Sequence, residues 1–197
     1  MKLSMSVFYP YKNALRVSLS ALTLTLLGAC AGASFETDVA GRDFVPRSAI
    51  HFETDNNQRL IMISDRDNLC DRLLEDDAEI ENHKVLRIDL SDREIAGFDI
   101  QFKPLSVGDY DIRQDFGDFE GRGSGANFVE LDDDCELDLA EVADEGEILI
   151  DRFEEEGTIS GSIDIEFDSV DTVGTFTARF CEIDADDANR DDDECDP

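Results

Sequence analysis

Along most of the chain from residue 47 to residue 181, apolar and polar positions alternate with a period of two. That is the pattern of strands with one buried face. Residues 49–52 and 60–63 read as the first two strands, separated by the turn-rich Thr54-Asp55-Asn56-Asn57. Leu86, Ile88 and Leu90 share one side of a strand over 85–90, and Phe98, Ile100 and Phe102 share one side over 97–102. Tyr110 and Ile112 continue the alternation after Gly108. Residues 128–131 and 137–139 flank the turn Asp132-Asp133-Asp134. Ile148-Leu149-Ile150 leads into Ile159, Gly161, Ile163, Ile165 and Phe167, five positions on one face of a long strand, and Phe176, Ala178 and Phe180 form the last. One stretch departs from this period. Leu69, Cys70, Leu73 and Leu74 fall at helical spacing, with Ser64 as N-cap and Asp65 and Asp67 placed to suit the helix dipole, so a short helix to about Asp77 is predicted. About nine strands and one helix predict a mainly β domain: an antiparallel β-sandwich or flattened barrel with one short α-helix capping an end or edge.

The first 29 residues follow another pattern. Lys2, Lys12 and Arg16 are the only charges in residues 1–16, and residues 17–29 form an uncharged run of 13. A bilayer core needs about 20 apolar residues, so this run suits a signal peptide rather than a membrane span. Its end, Leu22-Thr23-Leu24-Thr25-Leu26-Leu27-Gly28-Ala29-Cys30, resembles the lipobox of bacterial lipoproteins. The resemblance implies cleavage before Cys30 and a diacylglyceryl group on its sulfur, the anchor to a membrane. An ordinary signal peptide cut near Ala29 or Ala33 is the alternative. Ala31, where sorting of Gram-negative lipoproteins reads an Asp, implies the outer membrane by the same analogy. The predicted organisation is a signal peptide (1–29), a lipid-anchored tether (30–46), a β-rich domain (47–183) and an acidic disordered tail (184–197).

Charge sharpens the picture. The chain has 49 Asp and Glu against 17 Lys and Arg; with the leader's three basic residues removed, 14 remain and the formal charge is −35. Only Lys84 and Lys103 of those 14 are lysines. Nucleic-acid binding is excluded, because phosphate contact needs basic clusters. Adhesion to anionic lipid is disfavoured too, leaving the acyl group to hold the protein at the membrane. The carboxylates spread along the whole chain. A hydrated surface suited to salty surroundings explains that distribution, since screening at ~1 M salt shrinks the interaction length to about 3 Å. Specific divalent-cation sites are the competing account.

Beyond Cys30 four cysteines remain, Cys70, Cys135, Cys181 and Cys195, an even number that in an exported chain reads as two disulfides. Three pairings exist. Cys70–Cys135 with Cys181–Cys195 is the expected one, tying the tail to the last strand; Cys135–Cys181 with Cys70–Cys195 is its rival. Zinc is disfavoured, as no C-x2-C pair occurs and only His51 and His83 are at hand.

No motif specifies catalysis. Gly121-Arg122-Gly123-Ser124-Gly125 runs into strand rather than helix, so it fits neither a phosphate cradle nor a nucleophile elbow and reads as a flexible connection within residues 117–125. His51 and His83 read as packing or surface residues, a Ser-His-Asp site needing a serine that only folding can bring near. Paired carboxylates recur by chance in so acidic a chain, and without tryptophan a sugar cleft loses its usual stacking platform. The tail from Asp184 and Asp186 through Cys195 resembles a calcium loop only loosely, with Asn189 where the turn needs glycine and Cys195 where the bidentate glutamate belongs. Asp132, Asp133, Asp134, Asp184 and Asp186 are the weak calcium candidates; no other cofactor is expected.

Three stretches, residues 60–74, Gly108-Asp109-Tyr110 and Gly174-Thr175-Phe176-Thr177-Ala178-Arg179-Phe180-Cys181, resemble disulfide-containing β-rich lipoproteins and exported proteins of myxobacterium-like bacteria. The similarity spans about residues 47–182; the high Asp content departs from the more Thr- and Ser-rich pattern of that group. It carries no activity and hence no catalytic residue. The sequence therefore predicts a non-enzymatic, lipid-anchored extracytoplasmic domain that binds a protein partner or serves the envelope, with calcium binding as the alternative.

Overall fold

Ten consecutive residue pairs join Thr158–Phe167 to Val170–Phe180 through the two-residue turn Asp168-Ser169, both with positive φ (41° and 69°). Such a turn matches the right-handed twist of its strands. This hairpin anchors a computed structural model that describes residues 32–54, 57–75, 82–96, 99–113, 119–133 and 136–183. In chain order its elements are β1 (Gly32–Phe35), β2 (Ser48–Glu53), β3 (Arg59–Ser64), α1 (Leu69–Leu74), β4 (Lys84–Ala96), β5 (Asp99–Lys103), β6 (Gly108–Ile112), β7 (Gly121–Leu131), β8 (Leu137–Val142), β9 (Glu145–Phe153), β10 (Thr158–Phe167) and β11 (Val170–Phe180).

The strands close on themselves in the order β4-β3-β2-β11-β10-β9-β6-β7 and back to β4, an eight-stranded barrel rather than a sandwich. What closes it is the antiparallel pairing of β4 with β7, from Lys84↔Glu130 to Arg93↔Gly121. Two junctions, β2 with β11 and β6 with β7, are parallel. β1, β5 and β8 lie outside the ring, on β11, β4 and β7.

All eight barrel strands send side chains into one core, among them Ile61, Leu86, Tyr110, Phe128, Ile148 and Ile163, each at most 1% exposed. A barrel of this strand number is just wide enough to be filled by its own side chains. A second cluster, Ile50, Phe52, Leu60, Leu69, Cys181 and Ile183, lies on the outer faces of β2 and β3. These two strands are apolar on both faces, so α1 covers the wall instead of an end or edge.

Five expectations are corrected. Residues 32–46 are no tether: β1 pairs with β11 from Gly32↔Thr177 to Phe35↔Gly174, and Val39 and Phe44 enter the core. The irregular spacing of Phe35, Val39 and Phe44 gives no strand period, while a Cβ at Gly174 would strike the Phe35 ring, so glycine there lets β1 approach. Ser64 is no helix cap: it ends β3, and α1 starts after Asn68, whose φ of 58° ends the preceding turn. Residue 77, the predicted helix end, lies outside the described residues. Gly121 to Gly125 are not a loop but the first half of β7. Gly123 faces the Phe119 ring, which a Cβ would displace. That ring and Phe102 sandwich the Arg93 guanidinium at 4.7 and 5.1 Å. Eleven strands stand among the described residues in place of about nine, β1 being the one with no counterpart in the sequence reading, while β11 starts earlier than expected, at Val170.

The fifth correction is covalent. Cys70 on α1 is bonded to Cys181 just after β11, with Cα atoms 5.7 Å apart, which overturns both pairings weighed from the sequence. The pairing follows from the second cluster, which packs α1 against the segment leaving β11. Cys30, Cys135 and Cys195 lie outside the described residues, as does the predicted disordered tail.

Candidate functional site

Because β2, β3 and β4 are antiparallel neighbours, the start of β2 and of β4 meets the end of β3: Ser48 pairs with Ser64, and Ser64 with Val85. At this point a depression of about 270 Å³ opens, lined by Asp43, Val45, Arg47, Asp65, Arg66 and Lys84. The Lys84 ammonium lies 3.2 Å from Glu130 and donates to the Asp43 carbonyl, also at 3.2 Å. Arg42 approaches the other Glu130 oxygen at 3.7 Å. Arg47 reaches Asp67 at 3.5 Å, and Arg66 donates to the Asn82 carbonyl at 2.6 Å. Arg72, on α1, donates to the Asp67 carbonyl. Three of the 14 basic residues after the leader, Arg47, Arg66 and Lys84, thus line the depression beside Asp43 and Asp65, with Arg42 and Arg72 at its margin, and Arg42, Arg47, Arg66 and Lys84 pair with the nearby carboxylates.

Beneath the rim lies a hydroxyl–imidazole pair. Ser64 Oγ is 2.6 Å from His83 Nε2 and accepts the Arg66 backbone N–H at 2.9 Å. Ser64 is fully buried and His83 is 5% exposed. Burial pushes the His83 imidazole down to about 4, and Arg66 and Arg72 add to this while Asp65 opposes it. The imidazole is therefore neutral at physiological pH and able to accept the Ser64 proton. This is the separation of a nucleophile and its base. Yet both groups are closed off and Ser64 Oγ is already engaged twice, so as folded the pair fastens the end of β3 to the start of β4. The rim cations, in contrast, face outward and can hold an anionic group.

His51 serves elsewhere. It is fully buried, donates from Nε2 to the Gly157 carbonyl at 3.3 Å and packs 5.5 Å from the Phe180 ring. Burial pushes it down to about 4, with Arg59 contributing and the Gly157 carbonyl opposing. Its Nδ1 has no hydrogen-bond partner among the described residues. The fold does not unite the two histidines.

Of the calcium candidates, Asp132 uses its carboxylate to accept the Glu136 N–H at 2.8 Å, closing the β7–β8 turn, and Asp133 is exposed. Asp134, Asp184 and Asp186 lie outside the described residues. Among the described residues no three His, Cys, Asp or Glu side chains converge as a metal site. The sequence pattern missed Ser64 as a partner for His83, and missed the cluster of Arg42, Arg47, Arg66, Arg72 and Lys84. The one available hint was the scarcity of basic residues, which makes any gathering of them conspicuous. Comparison with family models, with curated proteins and with solved structures finds no match to this chain.

Proposed function

We propose that this chain is an exported, lipid-anchored β-barrel domain of the bacterial outer membrane that acts by binding, not by catalysis. The observation that carries this reading is the Cys70–Cys181 bond, with Cys181 buried at 1% exposure. Structural disulfides persist in oxidising compartments, the destination that the signal-like residues 1–29 and the lipobox-like end at Cys30 imply. Among the described residues the barrel core is packed with its own side chains, and the Ser64–His83 pair is buried beneath the surface. Both features favour recognition through the outer surface. β1 begins at Gly32, two positions after Cys30 in the sequence, so a lipid on Cys30 would leave only a short connection to the barrel. The barrel is then held close against the membrane.

Intact-mass and peptide analysis of the protein isolated from envelope fractions tests the reading. The expected species begins at Cys30, carries a diacylglyceryl group there and has Cys70 joined to Cys181. An intact leader on the folded protein, or free thiols at Cys70 and Cys181, overturns it.

A further inference from the structure

We infer that β5 pairs with the β5 of a second copy of this chain, antiparallel about a two-fold axis through Gln101, so that the protein self-associates edge to edge. The sheet order runs from β5 at one end to β8 at the other, and among the described strands β5 pairs only with β4. β7 begins opposite Arg93, at Gly121, so beyond that residue β4 and β5 stand as a two-stranded ribbon, from Glu94↔Gln101 to Ala96↔Asp99. A two-stranded ribbon is marginal in water, and three or more strands with an apolar face are needed for stability. This ribbon has such a face. Ile95 lies opposite Ile100, and Arg93, held against the Phe102 ring at 5.1 Å, lies opposite Phe102. Ile95 and Ile100 are 40% and 46% exposed.

The strand itself names its occupant. Asp99-Ile100-Gln101-Phe102-Lys103 is complementary to its own reverse. In the two-fold pairing Gln101 meets its own copy, Ile100 meets Phe102 and Asp99 meets Lys103, the last two each twice by symmetry. Directly opposed side chains sit about 4.5–5.5 Å apart, where aromatic–aliphatic and opposite-charge pairs stabilise and like charges destabilise. A lysine on an edge strand usually blunts it against pairing, but this register gives Lys103 a carboxylate to face. No surplus of positive charge is required, because what the register settles is that no like charges stand directly opposed. Lys103 is 49% exposed and holds Glu94 at 3.0 Å; an ammonium has three donors, so Asp99 of the second copy joins that pair without displacing it. Ile95, Ile100 and Phe102 of the two copies then merge into one apolar strip across four strands. β8, at the other end of the sheet, lacks this symmetry: Leu137-Asp138-Leu139-Ala140-Glu141-Val142 reversed on itself sets Asp138 against Glu141. Two copies of so acidic a chain repel at a distance, but at ~0.15 M salt that repulsion is screened beyond about 8 Å and the contacts at the edge decide.

Sedimentation velocity of the oxidised full-length protein in a density-matched mild detergent tests this pairing. The parent is expected to show a reversible, concentration-dependent equilibrium between monomer and dimer. Asp99→Lys sets lysine against lysine and Lys103→Asp sets aspartate against aspartate, each twice, so each variant alone is expected to dimerise several-fold to about tenfold more weakly. An equimolar mixture of the two variants brings opposite charges together again at both positions, and association is expected to return to near the parent's level. Mixing does not repair a ribbon that substitution has merely damaged, which separates loss of pairing from loss of structure. Leu137→Lys, on β8, is expected to leave the equilibrium unchanged. A parent that stays monomeric at every concentration, a dimer that neither β5 change weakens or that Leu137→Lys abolishes, or a mixture no more associated than its parts overturns the inference.

Discussion

Cys70 and Cys181 are 111 residues apart in the chain, so their bond closes most of the described domain into one loop. In the chain-entropy account a cross-link removes about 2.1 + 1.5R ln n cal/mol/K from the unfolded ensemble. For a 111-residue separation this is about 16 cal/mol/K, or about 4.8 kcal/mol at 25 °C, near the upper end of measured effects. The perturbation is a double-mutant cycle: Cys70→Ala, Cys181→Ala and both together. Urea unfolding followed by far-ultraviolet circular dichroism, with residual thiols alkylated, gives the stability of each. Either single change breaks the same bond, so each alone is expected to cost about 3–5 kcal/mol, and the double change little more than one of them. The m-value should rise as well, because the freed unfolded chain is more extended. Additive losses from the two single changes refute the reasoning. They are what Cys70–Cys135 with Cys181–Cys195 requires, where the two cysteines belong to separate bonds. A double variant within about 1 kcal/mol of the parent likewise sinks the entropic argument.

Three further outcomes are expected. His51 and His83 are each pushed from 6.5 down to about 4, and a folded-state value below the unfolded one contributes stability above about pH 6.5 that is lost as pH falls toward 4. At about 1.36 kcal/mol per unit this amounts to about 2 kcal/mol per histidine by pH ~5, measurable as a lower urea midpoint there than at neutral pH; imidazole NMR resonances that titrate near 6.5 in the folded protein contradict it. Ser64→Ala leaves His83 Nε2 and the Arg66 N–H without their partner in a buried site, and a loss of about 1–3 kcal/mol is expected by the same unfolding assay, against no change if the hydroxyl is dispensable. Thermal melting in calcium and in EDTA should coincide if the carboxylates form a solvated face; a rise of several degrees with calcium overturns that account.

Much of the fold was written in the alternation of side chains. The period-two runs that hold Leu86, Ile88 and Leu90, or Ile159 through Phe167, have to bury one face, and a chain of such strands separated by turns is committed to a layered or closed β architecture. The helix was legible for the same reason, since the spacing of Leu69, Cys70, Leu73 and Leu74 fits no strand. The short N-terminal strand was hidden because Phe35, Val39 and Phe44 follow no period and bury themselves by long-range contacts, Phe44 packing on both Phe35 and Phe128. The glycines of β7 were misread because glycine signals a turn as readily as a close approach, and only the position of the Phe119 ring decides which.

The sequence by itself determined the β class, the extreme negative charge and the four cysteines beyond Cys30. These follow from local period and composition, which need no knowledge of neighbours. The tertiary structure alone decided that the sheet closes, because closure depends on β4 meeting β7 some forty positions along the chain. It alone chose Cys181 as the partner of Cys70, and it alone brought Ser64 to His83 and set Arg47, Arg66 and Lys84 around one depression. Pairings of that kind are set by strand order and register, and no local pattern of residues encodes them.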